Sequence, residues 1–380
     1  MTESPTDHPL RPNVLDIDLD AAAANIREVR GLIGPERKLF AVVKADGYGH
    51  GAAELGTVFI ANGADALAVA DISEGIRLRD RGITAEILVY PNSLTDAAHT
   101  TIAHGLTPAL VDLESARAYS DAAQGTCDVF VKIDVGYERL GIQAEGAAQF
   151  VTSMLELPHL RLAGMCAHAH ARGADPAYAQ WQVDRFTAAV DELEARGVEV
   201  PIRLLAASPF VIGFPQTYLN AVEPGRMLYG ITYPGESPTV PLRPVLRALT
   251  TCVIAIKDIF PRKHFSELAP FPVLAPMRLG VIPIGSADGL DRLHAGRVLV
   301  RGQAVPILTA PSLEHTRIDL TGVPEAVVGD EVVIIGRQRD AEITAAEVAA
   351  RHEIGLNHVA VNVGPRVTRR YRPSARALVN

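Results

Sequence analysis

The feature that most constrains the fold is a series of eight short, nearly continuous apolar runs between residues 14 and 240. These runs are 38–45, 66–71, 86–91, 107–112, 129–135, 162–169, 202–208 and 221–228. Continuous rather than alternating hydrophobicity is typical of parallel strands that are covered on both faces. Amphipathic segments such as 21–33 and 178–197 separate the runs and predict the covering helices.

Eight strand–helix units in this length fit an α/β fold, a closed (β/α)8 barrel of the TIM type, which we predict for residues 13–238. A doubly wound open sheet is the alternative, but no glycine fingerprint follows the first run. After the predicted barrel, short β-rich runs interrupted by Gly, Pro and Asp predict a C-terminal mainly-β domain over residues 239–380, together with residues 1–12. The proline-rich stretch 233–244 is the predicted hinge.

Composition narrows the possible functions. An apolar fraction of 48% and a charged fraction of 21% are ordinary for a globular enzyme, and a net charge of −8 argues against nucleic acid as a partner. No apolar run reaches the roughly 18 residues of a membrane span, and the polar N-terminus lacks the apolar core of a signal peptide. The three cysteines, Cys127, Cys166 and Cys252, lie far apart, as expected in a reducing compartment. We therefore expect a cytoplasmic protein.

Lys44 ends the first apolar run, and in a barrel the chemistry collects where strands end. Burial of an amine at such a position lowers its pKa. A lysine of this kind is either paired with a carboxylate or available as a nucleophile that forms a Schiff base. Tyr48 follows closely among three glycines, which allow the backbone to approach a ligand.

The later strand ends add charged, aromatic and small residues. Arg139 follows the fifth run, and the sixth carries His168 and His170. Two histidines without a third ligand are a weak metal signal, so we expect packing or cofactor contact and predict no metal site. The last two runs end in Ser208, Glu223, Gly225 and Arg226. A lysine, a phosphate site and a carboxylate together suit pyridoxal 5′-phosphate (PLP).

Four longer motifs make the pattern specific. "FAVVKADGYGHG", "KIDVGYERLGI", "VIPIGSADGLDR" and "GDEVVIIGRQ" resemble, in order and spacing, those of the alanine racemase family of fold-type III PLP enzymes. The resemblance covers nearly the whole chain. It implies a barrel with a C-terminal β domain, an amino-acid substrate and a head-to-tail homodimer, in which the β domain of one subunit completes the active site of its partner.

The resemblance also implies roles for individual residues. Lys44 resembles the lysine that binds the cofactor covalently, Arg139 the arginine near its phenolic oxygen, and His168 the histidine beside its ring. The positions that resemble the phosphate-binding set are Ser208, Gly225 and Tyr229, with Tyr48 near the lysine and Arg226 contributing its backbone.

Four positions depart from the family pattern. Glu223 replaces the arginine at the pyridine nitrogen, Ser286 the catalytic tyrosine, Leu313-Glu314 a methionine-aspartate pair, and Pro365 a tyrosine near the C-terminus. A glutamate favours a protonated ring nitrogen and hence a stronger electron sink, which an arginine does not. The alternative is that Glu223 pairs with Arg203 or Arg226 and never meets the ring.

The missing tyrosine raises the question of proton transfer, because racemisation needs a proton acceptor on one face of the Cα carbanion and a donor on the other. Lys44 can serve one face. Ser286 is a weak replacement for a phenol, so the candidates for the second face are His315 and His358 in the β domain. Alternatively, both are hydrogen-bonded surface histidines.

The sequence thus predicts a PLP-dependent racemase or epimerase that acts through a Cα carbanion on an amino acid other than alanine. The alternative is a PLP-dependent lyase, catalysing retro-aldol cleavage, β-elimination or decarboxylation, that uses Glu223 to keep the ring nitrogen protonated. A non-catalytic PLP-binding protein is disfavoured by the second domain, since small carrier-like relatives resemble the barrel alone.

Overall fold

The computed structural model describes residues 11–170, 175–264 and 266–372. Contacts divide the chain into two units: Ala21–Arg243, and the residues up to Asp20 together with those from Pro244 onward. The predicted ranges 13–238 and 239–380 are therefore corrected. Residues 13–20 leave the barrel because the strand Val14–Asp18 pairs with Leu246–Cys252 and Thr368–Arg372.

The unit Ala21–Arg243 is a closed barrel of eight parallel strands, as predicted. Around the barrel, the strands are Thr107–Leu110, Glu86–Val89, Ala66–Val69, Lys38–Val42, Ala221–Glu223, Ile202–Ala207, Leu160–Ala167 and Cys127–Asp134. The last strand pairs with the first, so the sheet closes on itself and the open-sheet alternative is excluded. Each predicted apolar run contributes one strand. A two-residue strand, Ile142–Gln143, extends the edge of Cys127–Asp134.

The barrel interior is a packed core. Phe40 and Phe130 meet edge to face with ring centroids 5.9 Å apart. The facing strands contribute small side chains to the same cluster, namely Ala66, Ala68, Ala109 and Ala221. The small residues leave room for the two rings, as layered barrel cores require. The centre of the barrel is therefore filled by apolar side chains.

Helices accompany the barrel strands. They are Leu19–Ile33, Ala52–Ala61, Ile72–Asp80, Ala98–Ala103, Leu113–Ala122, Ala147–Leu155, Pro176–Ala195 and Ser208–Gly213. The aspartates before three of them accept backbone N–H bonds at the N-cap, which satisfies donors that the helix leaves unpaired: Asp71, Asp112 and Asp175. None of the helices in the described part of the chain is long and apolar enough to cross a membrane.

The other unit is mainly β, as predicted. Its larger sheet runs in the order Gln303–Pro306, Arg297–Val300, Glu331–Gln338, Leu246–Cys252, Val14–Asp18 and Thr368–Arg372, with Ala341–Ile343 paired to Glu331–Gln338. A three-stranded sheet contains Ala255–Ile259, Met277–Ile282 and Thr316–Asp319. The unit also contains the helix Ala345–Arg351, whose N-cap Thr344 accepts from the Glu347 N–H.

Candidate active site

Lys44 lies just beyond the strand Lys38–Val42, at the carboxyl end of the barrel. Burial lowers the pKa of its amine below the usual 10.5, Glu223 opposes this shift, and the cations Arg139 and Lys132 add to it. A lowered pKa increases the neutral, nucleophilic fraction of the amine near neutral pH. The environment of Lys44 thus suits covalent attachment to an aldehyde.

The turn after Lys44 is left-handed. Ala45, Asp46, Gly47 and Tyr48 all have φ between 51° and 62°. Three of these residues carry a Cβ, and each costs roughly 1–2 kcal/mol in this conformation. Two side-chain bonds hold the turn: Glu74 accepts from the Asp46 N–H at 2.9 Å, and the Asp46 carboxylate accepts from the Ala52 N–H at 3.0 Å.

Glu223 ends the strand Ala221–Glu223, which is the barrel neighbour of the strand before Lys44. It is 3% exposed, and its Oε2 accepts a hydrogen bond from the Tyr90 hydroxyl. Burial raises the pKa of Glu223, while Lys132, the Tyr90 bond and Lys44 all oppose the rise. The carboxylate therefore lies among a phenol and two lysines.

The alternative pairing of Glu223 with a neighbouring arginine is not what the structure contains. Arg203 donates to Glu194, and Arg226 donates to Glu236 and to the Ile231 carbonyl. Both guanidinium groups are thus engaged by partners other than Glu223. The Glu223 carboxylate faces Tyr90 in place of a permanent cation.

His168 follows the strand Leu160–Ala167 and is neutral. Burial lowers its pKa to about 3, and the nearby cations Lys132, Lys44 and Arg139 act in the same direction. A neutral imidazole can pack against an aromatic ring at little desolvation cost. This environment is compatible with the predicted place of His168 beside a cofactor ring.

The loop that carries Arg139 is held by Asp134. Its carboxylate accepts four backbone N–H bonds of 2.8–3.2 Å from the residues 136–139. Burial opposes ionisation of Asp134, but these four donors hold its pKa below the usual value. The Arg139 guanidinium lies 4.5 Å from the Tyr137 ring centroid. Asp134 is a residue that the sequence did not single out.

His168 and His170 both contact an aromatic side chain. Both rings lie against Tyr137, with centroid separations of 5.1 Å and 5.0 Å. Within residues 11–170, 175–264 and 266–372, no group of three or more metal-ligating side chains is assembled.

Small groups at the ends of the last two strands form a cradle that fits a phosphate. The Gly225 N–H and the Met227 N–H both point at Ser208 Oγ, at 2.9 Å and 3.3 Å. A Cβ at position 225 would lie 2.4 Å from the Tyr48 hydroxyl, so only glycine fits there. Hydroxyls and backbone N–H groups gathered around a glycine are donors that phosphate oxygens accept from.

Tyr229 and Arg226 have other contacts than the predicted phosphate set implies. The Tyr229 hydroxyl donates to the Val42 carbonyl at 3.0 Å, and its ring packs 4.8 Å from that of Tyr48. Tyr229 therefore holds the end of the strand Lys38–Val42, just before Lys44. The Arg226 side chain donates to Glu236, so a ligand contact by this residue through its backbone remains a prediction.

In the β unit, backbone hydrogen bonds connect the segment of Ser286 with that of His315, and His358 lies on a separate segment. The Ser286 N–H donates to the Ser312 carbonyl at 2.9 Å, and the Ser312 N–H donates to the His315 carbonyl at 2.9 Å. His315 and His358 are exposed, and the His358 carbonyl accepts from Asn362. Their predicted roles as acid or base remain predictions.

Besides Asp134, sequence reasoning missed two residues of the barrel site. Tyr90 directly follows the strand Glu86–Val89, and Lys132 lies within Cys127–Asp134 at 5% exposure. A lysine inside an apolar run was a usable signal, because an unpaired buried ammonium is costly. Tyr90 gave no such signal, because tyrosine is common in strands.

A closed barrel that presents a lysine of lowered pKa beside a buried carboxylate and a phosphate cradle defines a lysine-dependent PLP-type barrel enzyme. Residues 17–233 match the family model described as "Alanine racemase, N-terminal domain", and residues 246–371 match the one described as "Alanine racemase, C-terminal domain". The chain therefore belongs to the alanine racemase family. Enzymes of this family use PLP, and the chain is an amino-acid racemase-type enzyme with PLP as its cofactor.

Individual relatives agree with this assignment. The alanine racemase of Desulfosudis oleivorans is 37% identical over 94% of this chain and 95% of its own length, and that of Desulfovibrio desulfuricans is 36% identical over 95% and 98%. The crystal structure of alanine racemase from Bacillus anthracis with bound L-Ala-P matches at 28% identity with a TM-score of 0.89, over 96% of each chain. Alanine racemase from Clostridium difficile 630 matches at 29% with a TM-score of 0.88, over 96% of each chain.

Proposed function

We propose that this protein is a PLP-dependent racemase or epimerase that works through a Cα carbanion on an amino acid other than alanine. The observation that carries the proposal is the buried Glu223 carboxylate beside Lys44 at the carboxyl end of the barrel. Lys44 would hold the cofactor, the cradle of Ser208 and Gly225 its phosphate, and Glu223 its ring nitrogen. When bound, PLP supplies the electron sink for the carbanion.

The residues of this chain have distinct tasks in that reaction. The neutral Lys44 amine takes or returns a proton on one face of Cα. Arg139, on the loop that Asp134 holds, supplies a cation that lowers the pKa of the Lys44 amine. His168, neutral at physiological pH, packs without adding a competing charge.

The second face needs another proton carrier. We propose that His315 or His358 serves it, assisted by Ser286, in a head-to-tail homodimer whose β unit completes the site of the partner. Support comes from their exposure, which leaves both imidazoles accessible to a second subunit. The departures from the family pattern at Leu313 and Pro365 support a substrate that differs from alanine.

A lyase is the second candidate. The buried Glu223, bonded to a phenol and flanked by lysines, favours a strongly electron-withdrawing ring, which also suits retro-aldol cleavage, β-elimination or decarboxylation.

The test is proton NMR in deuterated water with PLP-loaded protein and a panel of D- and L-amino acids that includes alanine, followed by chiral analysis. Exchange at Cα with formation of both enantiomers supports a racemase, and the preferred substrate decides whether alanine is excluded. An aldehyde, keto acid or amine product would replace the racemase by the lyase. In the same assay, the His315→Gln or His358→Gln variant should slow exchange from one enantiomer more than from the other, while Lys44→Ala serves as the inactive control.

A further inference from the structure

Tyr90 occupies a central place among the charged groups of the barrel site. It directly follows the strand Glu86–Val89, and its hydroxyl donates to Glu223 Oε2. The amine nitrogens of Lys132 and Lys44 lie 5.4 Å and 5.9 Å from its ring centroid, within the range of cation–π attraction. One phenol thus bonds the carboxylate and lies within cation–π range of both amines.

The hydrogen bond matters because Glu223 is buried. A buried carboxylate is costly unless donors and cations offset the lost hydration, and a hydrogen bond to a charged acceptor is about twice as strong as a neutral one. Tyr90 is the side chain that bonds Glu223 directly, whereas Lys132 and Lys44 act on it through space. The bond also fixes one oxygen of the carboxylate and hence the direction in which the group points.

Tyr90 acts as a fixed donor, and its phenol does not exchange protons with the site. Burial and the adjacent Glu223 raise the pKa of the phenol well above its usual value. The remaining titratable neighbours of Glu223 are neutral: burial raises the pKa of the Tyr48 phenol and raises that of the Cys166 thiol to about 11. Tyr90 is therefore unsuited to replace the proton-transferring tyrosine of the family.

We propose that Tyr90 is a positioning residue whose hydroxyl keeps Glu223 ionised and oriented, so that Glu223 can keep the ring nitrogen of bound PLP protonated. The inference rests on the proposed function, since it assumes that Glu223 meets the ring nitrogen. Without the Tyr90 bond, Glu223 becomes the stronger base of the pair and draws the shared proton away from the ring.

The experiment is ¹⁵N NMR of the protein loaded with PLP that is ¹⁵N-labelled at the ring nitrogen, recorded across pH. Glu223→Gln should move the resonance to the position of an unprotonated ring. Tyr90→Phe should move it part of the way and lower the pH at which the ring is half protonated. Tyr119→Phe is the matched control, because it removes another buried hydroxyl of the barrel, one that bonds Thr101 at 3.2 Å.

A wild-type resonance in Tyr90→Phe, together with a shifted one in Glu223→Gln, overturns the role of Tyr90 and leaves that of Glu223. No shift in Glu223→Gln overturns the contact between Glu223 and the ring, and the Tyr90 inference falls with it. If Tyr90→Phe does not fold, 3-fluorotyrosine at position 90 replaces it. The more acidic phenol donates more strongly, so the half-protonation pH should rise, and an unchanged or lower value contradicts the proposal.

Discussion

The strand ends of the barrel and the turn around Asp288 in the β unit both bury charge, but they do so in opposite ways. In the barrel, Lys44 and Glu223 have pKa values displaced in the direction of their neutral forms. In the β unit, burial opposes ionisation of Asp288, yet Arg11, the Gly285 N–H and Arg366 hold its pKa below the usual 3.8. Arg366 also bridges to Glu314 at 2.9 Å.

This difference in charge compensation distinguishes residues that serve the reaction from residues that stabilise the fold. Charges that are incompletely compensated, as in the barrel, keep a high free energy that binding or proton transfer can use. The Asp288 cluster satisfies its own charges and fixes the backbone near Ser286 and Leu313 in the process. We therefore expect substitutions in the first region to remove activity and substitutions in the second to remove stability.

The largest effect is expected from Lys44→Ala. The variant should fold, because a desolvated amine of lowered pKa contributes little to stability, but it should lose covalent PLP and about 10⁴-fold or more in rate. Mass spectrometry after borohydride reduction measures the attachment. Lys38→Ala, at the exposed start of the same strand, is the control and should retain the cofactor. Cofactor bound covalently to the Lys44→Ala variant would show that Lys44 is not the residue that binds PLP.

Asp288→Ala should cost roughly 1–3 kcal/mol, because it removes the buried carboxylate that accepts from the Gly285 N–H, Arg11 and Arg366. Calorimetry of the β unit transition within the whole protein measures the loss. The folded-state pKa of Asp288 is lowered, so its stabilising effect is full above pH 3.8 and disappears as the pH falls through the lowered value. The gap between variant and wild type should therefore close in acid. Glu314→Ala, at the exposed rim of the cluster, should reduce stability less. Equal losses of stability in the two variants would refute the stabilising role of the buried Asp288.

The smallest effect concerns the titration of Lys44. Capture of PLP by the cofactor-free protein should increase with pH around a midpoint below 10.5, since only the neutral amine reacts. Arg139→Leu removes a cation and should raise the midpoint, whereas Glu223→Gln removes an anion and should lower it. Stopped-flow absorbance across pH measures both. Shifts of the same sign in the two variants would show that Lys44 is not tuned by these charges.

Much of the barrel was predictable because its strands are buried on both faces and therefore read as continuous apolar runs. The same property marked Lys44 and Glu223 as polar groups at strand ends. The strand Val14–Asp18 was assigned to the wrong unit, because its partners lie more than 200 residues away and local pattern carries no information on pairing. Tyr90 was missed for a similar reason, since its link to Glu223 spans 133 positions.

The left-handed turn after Lys44 determines when during folding this lysine becomes reactive. Local preference opposes this turn at Ala45, Asp46 and Tyr48, so it forms only when the helix Ile72–Asp80 brings Glu74 to the Asp46 N–H. In a nascent or unfolded chain, Lys44 is an ordinary protonated lysine among others. Lys44 becomes reactive towards aldehydes only when the tertiary structure forms. Covalent binding of the cofactor therefore indicates that the barrel has folded.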